Sequence, residues 1–225
     1  MDQNFKKLQR YVDRLISYKL PSYNDIPSIP LYMEQVTRYI NNEIAPLLNE
    51  ENPNFITSYM INNYVKAKIV LPPSDKQYSR VHIGYFIFIS LIKKSASLAD
   101  IATFIELDEK FLPNKEDIYK FYKEIQDSSI NEVALEVSNQ LKDIEKIYEE
   151  DGDQDRLTLK LIDIALRLYI ESESRRVIAE SIMKVINQNI LPEKALKEDI
   201  KEEIFENKLL DVEAKKLSVR KVGGK

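Results

Sequence analysis

The sequence predicts a mainly all-α protein, and three observations predict it. Apolar residues recur at i, i+3, i+4 and i+7 through most of the 225 residues, the spacing that lines one face of a helix. Ser, Thr and Asp stand where those runs begin, as helix caps do, and prolines stand where they end. The balance of 44% hydrophobic and 31% charged residues is that of a globular chain with a substantial core.

Each element follows from its own pattern. Phe5, Leu8, Val12, Leu15 and Ile16 mark a first helix over Phe5 to Lys19. Pro21, Pro27 and Pro30 then impose an extended linker, because proline lacks a donor and restrains its predecessor. A second helix is expected from Leu31 to Leu48, with Val36, Tyr39, Ile40 and Ile44 inward and Pro46 ending or kinking it. Thr57 can cap a third, whose apolar side is Ile61, Tyr64 and Val65, assisted by Met60. Its other side carries Tyr59, Asn62, Asn63 and Lys66, a polar stripe without a carboxylate. Pro72 and Pro73 terminate that element, and Ser-Asp-Lys-Gln forms a short polar loop before Tyr78.

Ser79 opens SRVHIGYFIFISLIKK, where crowded Ile, Tyr and Phe imitate a strand. The cap and the length favour a helix buried on most sides. Ser97 and Asp100 form a capping box for a helix with Leu98, Ile101, Ala102 and Ile105 on one face. After Pro113 a short helix is expected at Ile118, Phe121, Tyr122 and Ile125. A longer one is expected through Ile130, Val133, Ala134, Val137, Leu141, Ile144 and Ile147. EEDGDQD makes a turn. Leu157 to Ile190 is a long helical stretch whose first half is apolar nearly all round, broken only by a strip of Lys160, Asp163, Arg167 and Glu171, so it belongs at a bundle centre or between subunits. Pro192 opens a last charged helix, and SVRKVGGK reads as a frayed tail.

Scarcities exclude much chemistry. The glycines are Gly84, Gly152, Gly223 and Gly224, so neither GxGxxG nor a Walker loop can be written. Absence of cysteine removes thiol nucleophiles, thiolate metal sites and disulfides, and it agrees with a cytoplasmic location. The lone histidine, His82, leaves no paired-histidine metal site and reads as a packing or phosphate-facing residue. Asp151, Asp153 and Asp155 imitate a calcium loop, but Arg156 and Ile162 occupy its glycine and glutamate positions. Glu171 and Glu173 lie beside Arg175 and Arg176, which favours solvated ion pairs over acid–base catalysis. No enzyme, cofactor or membrane span is expected.

Charge is uneven. Residues 57–95 carry Lys66, Lys68, Lys76, Arg80, Lys93 and Lys94 against Asp75 alone, a net +5 in a chain of net −4. A polyanion-binding surface set in an acidic, self-repelling remainder accounts for such a pattern, and so does chance clustering on an ordinary surface.

The stretch from Ile56 to Ile105 therefore runs capped helix, proline-ended turn, short loop closing on Tyr-Ser, long helix, then Ser-Leu-x-x-Ile. That order resembles the DNA-binding head of MerR-type regulators, a winged helix-turn-helix. It resembles more closely an uncharacterised bacterial family with such a head, domain of unknown function eighteen thirty-six, whose lead-in LPSYNDIPSIPLYMEQV also looks similar. The resemblance implies an N-terminal helix over 1–22, a winged helix-turn-helix domain over 23–112, and a C-terminal helical dimerisation domain over 113–225. It implies a recognition helix at 58–67 and a wing at 72–78, with Tyr59, Asn62, Asn63, Lys66, Lys68, Lys76, Tyr78 and Arg80 on duplex DNA. Two departures stand out: Tyr59 and Asn62 sit where arginine is usual, and the wing is short. A DNA-binding transcriptional regulator acting as a homodimer is the reading these residues favour. A non-catalytic protein–protein interaction module that keeps the fold is the alternative. No effector is implied.

Overall fold

The computed structural model describes residues 3–47, 55–112 and 114–190. Helix α1 (Gln3–Ser17) is followed by a linker with a 3₁₀ turn at Tyr23–Asp25, then strand β1 (Leu31–Tyr32), helix α2 (Met33–Ile44) and a second 3₁₀ turn at Ala45–Leu47. Next come α3 (Ser58–Lys66), strand β2 (Gln77–Tyr78), α4 (Arg80–Ile92), α5 (Leu98–Phe111), α6 (Lys115–Asp151) and α7 (Gln154–Ile190). The two short strands pair antiparallel, Leu31 with Tyr78 and Tyr32 with Gln77. Helix thus dominates the described residues. The ends of the chain, with the helix expected after Pro192 and the SVRKVGGK tail, lie outside them, as do Leu48 and Pro113.

Residues 1–173 form one compact unit and 174–225 a second. The first unit contains two cores. One is built from the linker, α2, α3, β2, α4 and α5, with Ile26, Val36, Ile40, Ile61, Phe86 and Ile101 all but fully enclosed. It continues past residue 112 into the first turns of α6 through Ile118, Tyr119 and Tyr122. Helix α4 is its axis: every residue from Ile83 to Ser90 is buried, so the strand-like composition reflects burial on all sides. Gly84 permits the close approach of α6, because a Cβ there would meet Tyr119 Cδ2 at 3.1 Å.

The second core lies between α1, α6 and the start of α7, and holds Phe5, Val12, Val137, Leu141, Ile144 and Leu157. Polar groups on α6 fasten the N-terminal segment to it. Asp127 accepts the Leu20 amide at 2.9 Å, the Tyr119 hydroxyl donates to the Pro21 carbonyl at 3.0 Å, and Asn131 donates to the Ile16 carbonyl at 2.9 Å.

Several expectations change. The two helices anticipated after Pro113 are one, because the Asp-Ser-Ser run does not interrupt the ladder. Asp127 is held by Lys123 and Leu20, while Ser128 Oγ donates back to the carbonyls of Glu124 and Ile125. Phe121, Ile125 and Leu98, placed inward by spacing, are exposed. Leu31 and Tyr32 form a strand, and α2 starts after them, since pairing with β2 outweighs a local helical pattern. The Thr57 cap forms as expected, its hydroxyl accepting the Met60 amide at 3.3 Å. So does the Ser97–Asp100 box, with the Asp100 amide donating to Ser97 Oγ at 3.0 Å. Glycine ends α6: Gly152 adopts a left-handed φ of 65° and its amide donates to the Tyr148 carbonyl. Of the second unit, the described residues are 174–190 of α7, where Arg176 pairs with Glu180 and Val177, Ile178, Ile182 and Val185 are exposed.

Candidate nucleic-acid interface

Helix α3 is short, so its orientation depends on what grips its ends. At its start, Asn41 of α2 donates to the Ile56 carbonyl at 3.0 Å and accepts the Phe55 and Ile56 amides at 2.8 and 3.0 Å. Lys93, at the end of α4, donates to the Phe55 carbonyl and lies over the Phe55 ring. At its far end α3 closes in a Schellman motif: the Lys68 amide donates to Val65 and the Ile69 amide to Tyr64. The left-handed position that motif needs is filled by Lys68, φ 59°, where glycine is the usual residue.

Ile61 and Tyr64 anchor the inner side of α3 in the core. Its outer side presents Tyr59, 75% exposed, with Asn62 and Lys66 exposed and Asn63 half-buried beside them. No acidic residue occurs anywhere from Phe55 to Ser74. The helix therefore offers amide, phenol and ammonium groups and nothing that repels an anion.

The loop that follows is a tight hairpin. Asp75 and Lys76 both take left-handed φ, 48° and 62°, and the Gln77 amide donates to the Ser74 carbonyl at 2.8 Å, as in a type I′ turn. Its strand registers on β1, which sets the exposed Tyr32 opposite Gln77. The base of the hairpin is tied to α4 by His82. Its Nδ1 accepts the Ser79 amide at 3.1 Å, and the ring lies against the carbonyls of Leu71 and Pro72. Burial holds the imidazole below its ordinary pKa of 6.5, so it is a neutral fastening.

The structure sorts the sequence-derived residues. Tyr59, Asn62, Asn63 and Lys66 share one face of α3, Lys68 extends from its end, and Lys76 stands at the hairpin tip. Tyr78 is different. At 3% exposure, with its ring edge-on to His82 and Phe86, it belongs to the core and cannot face a groove. Arg80 is also committed, its guanidinium lying 5.2 Å from the Tyr23 ring centroid and donating to Asn24. Lys93 is half-buried and its pKa lowered by that burial. Four of the six local cations, Lys66, Lys68, Lys76 and Lys94, therefore remain on the exposed surface.

Two features escaped the sequence reading. Tyr32 gains its position from strand pairing, which two residues do not announce. Asn41 carries a faint signal, a polar residue beside the buried Ile40.

The interface and all of the first core's buried residues except Tyr18 and Leu20 fall within one recognisable segment. Residues 21–125 match a family model, Domain of unknown function (DUF1836). The matched segment begins at Pro21, next to Leu20 of that core, and ends three residues after Tyr122, its last buried side chain. Comparison with curated proteins and with solved structures gave no significant match. Among the described residues no helix is long and apolar enough to cross a membrane.

Proposed function

We propose that the protein binds duplex DNA through the outer face of α3 and the hairpin at residues 74–77, as a MerR-like winged helix-turn-helix, and that it serves as a non-catalytic transcriptional regulator. The carrying observation is the outer face of α3, exposed and free of carboxylates, with Lys68 and Lys76 on the turns that follow it. The order β1, α2, α3, hairpin, α4 supplies the parts such a head requires.

The chemistry fits. An asparagine can bond adenine N6 and N7 together, and lysines supply phosphate contacts. Tyr59 can donate to a phosphate oxygen. Lysine at left-handed positions is conformationally costly, and such strain collects where a side chain is needed for function.

Titration with random-sequence duplex at ~50 mM salt is expected to show binding whose log K falls linearly with log salt. Lys66→Glu should weaken that binding by roughly tenfold or more and make the slope shallower. No binding at low salt would end this reading. A protein-interaction module is the second reading, favoured by the 75% exposure of both Tyr59 and Leu71. Its mark would be a partner protein whose affinity ignores salt.

A further inference from the structure

Helices α1 and α6 run antiparallel, since Gln9 reaches Glu145, Ser138 reaches Asp13 and Asn131 reaches the Ile16 carbonyl. Along the first two of these ties the pair opens into a groove of about 390 Å³, the size of a small-molecule site. Its floor is formed by the buried Ser138 and Leu141. Three cations line it, Lys6 and Arg10 one turn apart on α1 and Lys142 on α6. Arg10 Nε donates to the Lys6 carbonyl at 3.2 Å, which holds the guanidinium against α1 without using its two terminal nitrogens.

The groove also holds two carboxylates, and each is engaged by a neutral donor from the opposite helix. Gln9 donates to Glu145 at 2.6 Å, and the Ser138 hydroxyl donates to Asp13 at 3.2 Å. Elsewhere on α6 and α7 cations pair with acids one turn away, as Lys120 does with Glu116, Lys146 with Asp143 and Arg167 with Asp163. Among the described residues no ion pair joins Lys6, Arg10 or Lys142 to a carboxylate.

We infer that this groove binds a small phosphate monoester with a hydrophilic body, of the sugar-phosphate kind, its phosphate between Arg10, Lys6 and Lys142. A guanidinium fork matches two phosphate oxygens, and the two ammonium groups add charge. The volume exceeds what a bare phosphate fills, and the Gln3 and Gln9 amides line it beside a small apolar floor, which suits a hydroxylated body. Asp13 and Glu145 would repel a run of further phosphates, so the site suits one phosphate head and not a nucleic-acid backbone. The groove lies outside the matched segment 21–125 and shares no residue with the α3 face.

Equilibrium dialysis of the full chain against labelled ribose 5-phosphate at ~150 mM salt should show saturable binding of one molecule per chain. Unlabelled ribose should not compete, and inorganic phosphate should compete roughly tenfold less well. Arg10→Ala and Lys142→Ala should each weaken binding roughly tenfold, the loss expected for one charge-assisted hydrogen bond. Arg10→Lys should recover only part of it. Both side chains are exposed, so an unchanged urea midpoint is expected to show that each variant folds. Lys66→Glu should leave the dialysis unchanged. No binding of ribose 5-phosphate overturns the inference, and so does affinity indifferent to both alanine variants. Loss of binding in Lys66→Glu also overturns it, by placing the phosphate on α3. Duplex binding is read separately, and either result can fail without the other.

Discussion

The first core and the outer face of α7 are made from the same residue types and meet opposite fates. Ile61, Ile83 and Phe86 are completely enclosed, whereas Leu159, Leu166 and Ile170 face outward with more than half their surface open. Composition cannot separate the two. What separates them is flanking chemistry: the core helices border on caps, prolines and neighbouring helices, and the α7 face borders on a ladder of alternating charge. Buried apolar surface stabilises the fold of one chain; apolar surface left open to water contributes little to it.

The largest expected effects break this contrast directly. Phe86→Ala removes a fully buried ring and should lower unfolding free energy by about 3–5 kcal/mol, read from the urea midpoint. Leu166→Ala deletes a similarly apolar side chain that is 54% exposed, and the stability of the isolated chain should move by no more than ~0.5 kcal/mol. If Leu166→Ala destabilised dilute protein as Phe86→Ala does, the face would be covered within the chain and the comparison would collapse.

An intermediate effect concerns how the interface is fastened to that core. Burial keeps the folded pKa of His82 below 6.5, so the unfolded chain takes up the proton first as pH falls. The contribution of the neutral imidazole is therefore complete above pH 6.5. It is lost progressively as pH drops from there through the lower folded pKa. Wild-type stability should fall relative to His82→Asn over that interval, and the difference between the two urea-midpoint curves should be flat above it. Carboxylates held low, such as Asp25 and Asp151, titrate beneath this window and cancel in the difference. A difference curve without slope would show that the ring is not gripped between Ser79 and the Leu71–Pro72 backbone.

Much of this was legible in the residues, and the rest had physical reasons to be hidden. Caps at Thr57 and Ser97 read correctly because each depends on atoms within three positions of itself. The polar face of α3 was legible because helical period fixes which residues share a side. Tyr78 was misassigned to the groove. Its depth is set by the β1 ladder and by His82 and Phe86, contacts that no local spacing announces. Arg80 was counted as a free cation for the same kind of reason, since its partner Tyr23 lies 57 positions earlier. Helix α6 was split in two because Asp-Ser-Ser resembles a boundary until the Leu20 amide is brought across to donate to Asp127.

The smallest effect has the sharpest diagnostic value, because stability and binding should move in opposite directions. Lys76 sits at φ 62° in the hairpin turn, a conformation that opposes its Cβ with the following carbonyl. Lys76→Gly relieves that strain, offset in part by the greater freedom of glycine in the unfolded chain, for a net gain of about half a kcal/mol. If the side chain were merely solvated, nothing else would change. If the hairpin tip contacts a phosphate, duplex affinity at ~50 mM salt should fall and the log K against log salt slope should lose close to one unit. The hairpin itself should persist, since glycine suits a type I′ turn better than lysine does. A variant that gains stability and keeps its full salt slope would remove the hairpin from the interface and leave the face of α3 to act alone.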